Sequence, residues 1–441
     1  MRAKRLQLQQ KPPTDVVIES LDQDGRGVAH IDGKATFIHG ALPGEHVSFV
    51  YTSSNRRFDT GRIQAILQPA VARTNPRCSH FGQCGGCSLQ HLISSEQLRA
   101  KEQILRDALT RIAKIQPEFG YLAPLESNTW GYRRKARISV KYVVPKEKLL
   151  IGFRERNSAF VADLNRCEVL HPRLGQKIEE LRSTLAQLSI LRLIPQLEMS
   201  MGEDACALIV RVLAYPTASD RELLKEFGIA NNICVYLQYG KPLTIEPLTE
   251  IATLGYSIPQ CGLYLQFQPL HFTQVNLELN QMLIARVLEL LNPQTHQHVL
   301  DLFCGIGNFT LPLATRAASV TGVEGDPGLV AQARINAVNN QLDNCKFYCT
   351  DLYKNIEKSE WITQQFDQIV LDPPRSGAAE VLPYLPKLKA KQILYISCYP
   401  ATLARDAAIL TQEFGYKLHY AGVMDMFPHT NHVESIALFA C

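Results

Sequence analysis

The sequence predicts an α/β protein in three parts: a small β-barrel, a mixed α+β middle region and a C-terminal doubly wound sheet. Three observations carry this. From about residue 271 apolar strand-like runs alternate with helical stretches, the rhythm of a parallel sheet with crossover helices. Residues 14 to 68 hold only short alternating runs broken by glycines. At 441 residues the chain is also longer than a single core serves well.

The first part opens with a basic segment, residues 1 to 13, that lacks the apolar stretch of a secretory signal and reads as an arm. The runs "DVVIESL", "GRGVAHI", "KATFIHG", "EHVSFVYT" and "DTGRIQAIL" follow, with Gly25, Gly27, Gly33, Gly40 and Gly44 among them. Such spacing predicts a closed barrel over 14 to 70. Arg56, Arg57 and Arg62 are its candidate phosphate contacts.

The middle region, 71 to 270, begins with a cysteine-rich loop and the helical stretch "SSEQLRAKEQILRDALTRIAKI". Ser94 and Gln97 have the spacing of a capping box. Leu98, Leu105, Leu109, Ile112 and Ile115 form an apolar stripe that can also pack on the C-terminal part. In "WGYRRKARISVKYVV", Arg133, Arg134, Lys135 and Arg137 lie beside Trp130 and Tyr132. That mixture suits RNA, with phosphates on the cations and bases on the rings.

The composition excludes several classes. Hydrophobic residues make up 46% and charged residues 20%, which rules out a disordered chain. No apolar run is long enough for a membrane helix; a cytoplasmic location and a monomer are separate expectations. The net charge of +4 divides into +11 over residues 1 to 157 and −7 over the remainder. A basic front joined to an acidic back points to a polyanionic partner gripped by the front.

Twelve cysteines are present and only Cys78, Cys84 and Cys87 cluster, in "RCSHFGQCGGCSLQH". Without a disulfide framework, metal binding becomes their leading reading. The local spacing leaves zinc and iron–sulfur both open.

In "VLDLFCGIGNFTLPLA" a strand runs into a glycine turn and a helix. Gly305 and Gly307 let the backbone turn under a ligand. Glu324 closes the next strand, where an acidic group binds ribose hydroxyls. Asp351 and Asp372 close the two after it. Successive acids at strand ends, with no phosphate-binding lysine, suit a sulfonium nucleoside, S-adenosylmethionine. Cys398, in "QILYISCYP", ends a strand at the same sheet edge. A thiolate there can add to C6 of uracil and make C5 nucleophilic. The base that later removes the C5 proton is then His429, His432 or Glu434. Cys304, by contrast, reads as a packed thiol.

Together "LDLFCGIGNF", "VLDPPRSG", "ISCYP" and "HVESIALF" resemble the RNA uracil-C5 methyltransferase family. The sequence "DGRGVAHIDGKATFIHGALPGEHV" resembles a TRAM domain, an OB-like RNA-binding barrel. The pattern CX5CGGCX2QH behind it is similar to the iron–sulfur branch of the family, which acts on 23S ribosomal RNA. The resemblance runs through essentially the whole chain. It implies a Rossmann-like S-adenosylmethionine-dependent domain over 271 to 441, with Cys398 as nucleophile and Glu434 as base. It places S-adenosylmethionine contacts on Gln274, Phe303, Asn308, Glu324, Asp351 and Asp372. It implies a [4Fe–4S] cluster held by Cys78, Cys84, Cys87 and Cys167. Tyr399 departs from the asparagine that many members carry after the nucleophile. The alternatives are the same chemistry on another 23S uridine or on the tRNA T-loop, an amino-group methyltransferase, or a non-catalytic RNA-binding or ribosome-assembly factor.

Overall fold

The protein is described by a computed structural model covering residues 12–240 and 244–441. Residues 1–11, most of the expected basic arm, lie outside the described residues. The chain forms two compact units. One takes Met1–Ile104 with Arg154–Ala159 and Phe427–His432, and the other takes Leu105–Phe153, Phe160–Met426 and Val433–Cys441. Among the described residues no helix is long and apolar enough to cross a membrane.

In the first unit, strands Thr14–Val17, Ser20–Leu21, Gly27–Ile31, Lys34–His39, His46–Ser54 and Phe58–Gln68 form one mixed sheet. Its two edge strands are consecutive pieces of one run. Thr14–Val17 pairs with His46–Ser54, while Ser20–Leu21 pairs with Gly27–Ile31. Between them Ile18 N–H donates to Glu45 O and Glu19 N–H to Val28 O, at 2.9 and 2.8 Å. The run therefore joins both edges and closes the barrel, removing unpaired edges. Ile18, Ala29, Ile38, Ala41, Val47 and Phe49 fill it. Gly61 is required by that filling, because a Cβ there would lie 2.4 Å from the Phe49 ring.

Helix Ser94–Ala108 starts where expected, and Gln97 N–H donates to Ile93 O at 3.0 Å. The Gln97 carboxamide is buried and donates to Leu89 O and Leu92 O at 3.0 and 2.7 Å. Its oxygen accepts from His429 N–H at 2.9 Å.

The second unit contains a six-stranded sheet in the order Thr244–Pro247, Cys234–Tyr239, Cys206–Arg211, Gln196–Met201, Lys135–Val143, Lys148–Gly152. It also contains a seven-stranded sheet in the order Cys345–Cys349, Ser319–Glu324, His298–Leu302, Gln368–Leu371, Gln392–Ser397, Glu434–Ala440, Lys417–Met424. The first five strands of this sheet are parallel, and Glu434–Ala440 runs antiparallel to both its neighbours. Lys417–Met424 was absent from the strands expected by sequence pattern. Helix Leu277–Leu291 is capped by Asn276, and helix Pro327–Asn339 by Asp326, whose carboxylate accepts from Gly328 and Leu329 N–H.

A hairpin, Leu254–Ile258 with Leu263–Phe267, precedes the seven-stranded sheet. The outer edge of its second strand pairs with side chains in place of a third strand. Asn340 accepts from Tyr264 N–H and donates to Tyr264 O, both at 2.8 Å. One turn earlier, Asn336 accepts from Gln266 N–H at 2.9 Å and donates to Gln266 O at 3.0 Å. Residues four apart on a helix face thus match residues two apart on a strand. Asn336 also donates to Ile306 O at 3.1 Å, so the same carboxamide holds the glycine turn.

Candidate active site

The site is built at the C-terminal edge of the parallel strands, where helix N-termini and loops converge. Strand His298–Leu302 ends in the turn 303–308. Phe303 has φ +66°, Gly305 +55° and Gly307 +92°. A positive φ at a phenylalanine is uncommon and marks a backbone fixed by its surroundings. Here Phe303 N–H donates to Val323 O at 2.9 Å. A Cβ at Gly307 would lie 2.3 Å from Leu311 Cδ1, so the turn has no space for a side chain there.

Glu324 closes the second strand. Its carboxylate accepts from Gly305 N–H at 3.1 Å, Gly325 N–H at 2.7 Å and Asp326 N–H at 3.0 Å. These backbone donors fix the carboxylate beside the turn. Asp351 lies exposed at the end of the third strand, and its bond to Lys354 holds its carboxyl below the usual range. The Phe303 ring rests 5.8 Å from that of Tyr353. Gln274 is half-buried. The Asn308 carboxamide is largely engaged: its oxygen accepts from Tyr256 O–H at 2.8 Å and Asn280 Nδ2 at 2.9 Å, and its nitrogen donates to Asn280 at 3.0 Å. Asn308 therefore secures the turn from within.

Two groups that the sequence reading passed over belong here. Asp301 is fully buried on the first strand. One of its oxygens accepts from Thr310 Oγ1 at 2.5 Å and the other has no hydrogen-bond partner among the described residues. Burial pushes its carboxyl up to about 7, against the Thr310 hydrogen bond and with the Asp372 carboxylate adding to the rise. A lone acid inside the apolar run "VLDLF" was the available signal. The other is Arg375 of "DPPR", whose charge draws the Cys398 thiol downward.

Cys398 follows strand Gln392–Ser397 directly. The last pair in that strand's ladder with Glu434–Ala440 is Ser397 with Ser435. One residue further along, Cys398 and Glu434 come opposite each other. Burial raises the Cys398 thiol to about 11, with Glu434 and Asp372 adding to the rise and Arg375 opposing it. Burial beside Glu434 likewise pushes Asp372 up to about 8. A half-buried thiol and two half-buried carboxyls thus lie together, with the exposed Arg375 acting on the thiol from the solvent side. His429 and His432 fall in the other unit, where the His429 ring lies 3.2 Å from Gln97 Nε2 and the His432 ring 5.2 Å from Phe427. Cys304 is buried and its thiol raised well above its ordinary value, as a packed residue should be.

A consequence for stability follows from Asp372. Its folded-state pKa lies above the unfolded value, so the folded protein binds the extra proton between about pH 4 and pH 8. Stability therefore falls as pH rises through that window. Asp372→Asn is expected to raise the melting temperature of the ligand-free protein, more at pH 8 than at pH 5, while abolishing turnover. Thermal unfolding at the two pH values checks this.

The expected RNA surface needs revision. Tyr132 is buried, and Lys135 is half-buried with Nζ 2.6 Å from Pro269 O and 3.2 Å from Glu198. Arg134 bonds Gly202 O. Arg137 is exposed but paired to Glu198 at 2.9 Å. Most of this cluster supports the middle sheet. Arg56, Arg57 and Arg62 are exposed on the barrel.

Cys78, Cys84 and Cys87 share one loop of the first unit. Gly85 N–H donates to Arg154 O at 2.9 Å, and Arg156, half-buried beside Cys84 and Cys87, donates to Cys87 O at 3.1 Å. Cys167 is buried in the second unit. Among the described residues no three His, Cys, Asp or Glu side chains are gathered as a metal-binding group.

Residues 258–440 match the family model of tRNA (uracil-5-)-methyltransferases, and residues 14–48 match the TRAM domain. A protein of Alkalilimnicola ehrlichii named 23S rRNA (uracil(1939)-C(5))-methyltransferase RlmD is 47% identical, with 97% of each chain covered. The chain belongs to the RNA uracil-C5 methyltransferase family. Proteins of the same name from Methylococcus capsulatus and Xanthomonas campestris are 46% and 48% identical, covering 99% and 97% of each chain. The fold is that of the tRNA (uracil-54, C5)-methyltransferase of Pyrococcus abyssi, solved with S-adenosyl-L-homocysteine. That structure is 21% identical with a TM-score of 0.74, over 97% of this chain and 99% of that one.

Proposed function

We propose that the chain methylates C5 of uridine 1939 in 23S ribosomal RNA, using S-adenosylmethionine. The observation that carries this is Cys398 opposite Glu434 at a sheet edge lined by Asp301, Glu324 and Asp372. S-adenosylmethionine supplies an electrophilic methyl group and a cationic sulfonium. The acids at this edge suit a cation, and the buried Asp301, with one oxygen lacking a hydrogen-bond partner among the described residues, is the clearest case.

The chain's own residues then account for the steps. The Cys398 thiol, high in the resting protein, loses its proton to solvent water as Sγ bonds uracil C6, which leaves Glu434 free for the later step. C5 takes the methyl group, and the donor leaves as a thioether. Glu434 accepts the proton from C5 as the C6–Sγ bond breaks, releasing the thiolate and restoring the double bond. Arg375 stabilises the thiolate at both ends of the cycle. The target base must leave its stack to reach Cys398. The TRAM barrel, with Arg56, Arg57 and Arg62 outward, supports a grip on the flanking RNA by charge.

We further propose that Cys78, Cys84, Cys87 and Cys167 hold a [4Fe–4S] cluster. Four thiolate donors are the usual complement of such a cluster, and the Arg156 guanidinium beside Cys84 and Cys87 favours anionic sulfur. The cluster's role is structural and no redox step enters methyl transfer. Protein purified without oxygen should contain about four iron and four sulfide per chain. Stoichiometric zinc without sulfide would overturn this reading.

The substrate is tested with two transcripts, one spanning 23S uridine 1939 and one a tRNA T-arm. Methyl incorporation into the first at uridine 1939, with the second at background, is expected. Preference for the T-arm would overturn the ribosomal reading while leaving the chemistry intact.

A further inference from the structure

The carboxylate of Asp406 has no part in the chemistry above, yet it is fully buried eight residues beyond the nucleophile. One of its oxygens accepts from Tyr395 O–H at 2.6 Å and from Ala378 N–H at 2.8 Å. The other accepts from Arg405 Nε at 2.7 Å. Arg405 in turn donates to Ser376 O at 2.8 Å. Three segments therefore meet on one side chain: the strand that ends at Cys398, the helix Pro400–Gln412 that follows it, and the loop 375–378 after Asp372 and its two prolines. The loop has little freedom at this point. Gly377 has φ +81°, and a Cβ there would lie 2.5 Å from Arg405 Nη2 and 2.6 Å from Asp406 Oδ2. Thr402 Oγ1 donates to Arg375 O at 3.3 Å, and Tyr353 O–H to Gly377 O at 3.2 Å.

Arg375 opens this loop. Glu434, Asp372 and Arg375 are the charged groups facing Cys398, and only Arg375 favours the thiolate. We propose that Asp406 is a positioning residue, a buried clamp that holds the Arg375 loop against the turn carrying Cys398. A single carboxylate accepting three hydrogen bonds, one from a guanidinium, is a strong and geometrically specific anchor. Burial makes its loss costly, because Tyr395 O–H and Ala378 N–H have no water to turn to. The clamp supplies no proton and touches no substrate. It acts through Arg375.

The inference rests on Cys398 being the nucleophile, and its test separates the two. Asp406→Asn keeps size and shape but loses the charge and one acceptor. Single-turnover methylation should fall by about 10- to 100-fold, with KM for both substrates within about twofold. The pH midpoint for alkylation of Cys398, read by peptide mass spectrometry without turnover, should move upward. In an Arg375→Gln background the same substitution should cost less than about twofold, since the two act through one effect. Tyr395→Phe, which deletes a single bond, should shift both readouts in the same direction by less. Equal losses from Asp406→Asn in both backgrounds would overturn the proposal, as would an unmoved alkylation midpoint in a folded variant. Failure of the nucleophile reading would appear separately, as activity retained by Cys398→Ala.

Discussion

Cys398→Ala is expected to reduce methyl transfer by at least about 10³-fold while leaving RNA and cofactor affinity within about twofold. The reason is the weakness of uracil C5 as a nucleophile. Only addition at C6 places electron density on C5, and Cys398 is the thiol at the C-terminal edge of the parallel strands that faces both Glu434 and Arg375. The burial that raises its thiol to about 11 also keeps it protonated and unreactive until substrate enters. Alanine removes the attacking atom without disturbing the strand, whose ladder ends one residue earlier. Release of tritium from C5 of labelled RNA measures the loss directly. A variant retaining a tenth of native activity would point to methylation without covalent addition.

Glu434→Gln is expected to stop the cycle later. Attack by Cys398 and methyl transfer both precede loss of the C5 proton, so a glutamine that cannot accept a proton leaves methylated uridine bonded to Sγ. Turnover should fall by about 10²- to 10⁴-fold, and a denaturation-resistant complex of protein and RNA should accumulate in proportion to enzyme. The same substitution removes a negative charge that raises the Cys398 thiol. Adduct formation should therefore be no slower than in the native enzyme at neutral pH. Gel separation under denaturing conditions, with labelled RNA, tests both points. Loss of adduct together with loss of turnover would instead make Glu434 the group that prepares the thiol.

Much of this could be read from the chain. Alternation at period two located the barrel strands, and the apolar runs ending at the glycine turn, Glu324, Asp351, Asp372 and Cys398 located the five parallel strands of the C-terminal sheet. What escaped was set by distant pairing. Closure of the barrel depends on Ile18 and Glu19 bonding two different strands. The facing of Cys398 and Glu434 depends on a register between segments more than thirty residues apart, and no local pattern encodes a register. Lys417–Met424 was missed because its polar Lys417, His419 and Tyr420 dilute the apolar alternation of an edge strand. Asn336, Asp301 and Asp406 are single polar residues in helix or strand interiors. Their importance appears only when burial removes water as an alternative partner. In the cluster of Arg133, Arg134 and Lys135, the latter two are half-buried and bonded to backbone carbonyls, and charge in a sequence carries no mark of such partners.

The most direct test uses 23S RNA with 5-fluorouridine at position 1939. Methyl addition can proceed on this base, but fluorine cannot leave C5 as a proton would, so the covalent intermediate is held. Incubation with S-adenosylmethionine, proteolysis and mass spectrometry should find one peptide, carrying Cys398, increased by a methylated fluorouridine nucleotide. A modified RNA with no protein adduct, or an adduct on any other residue, would contradict the assignment of Cys398 as the nucleophile.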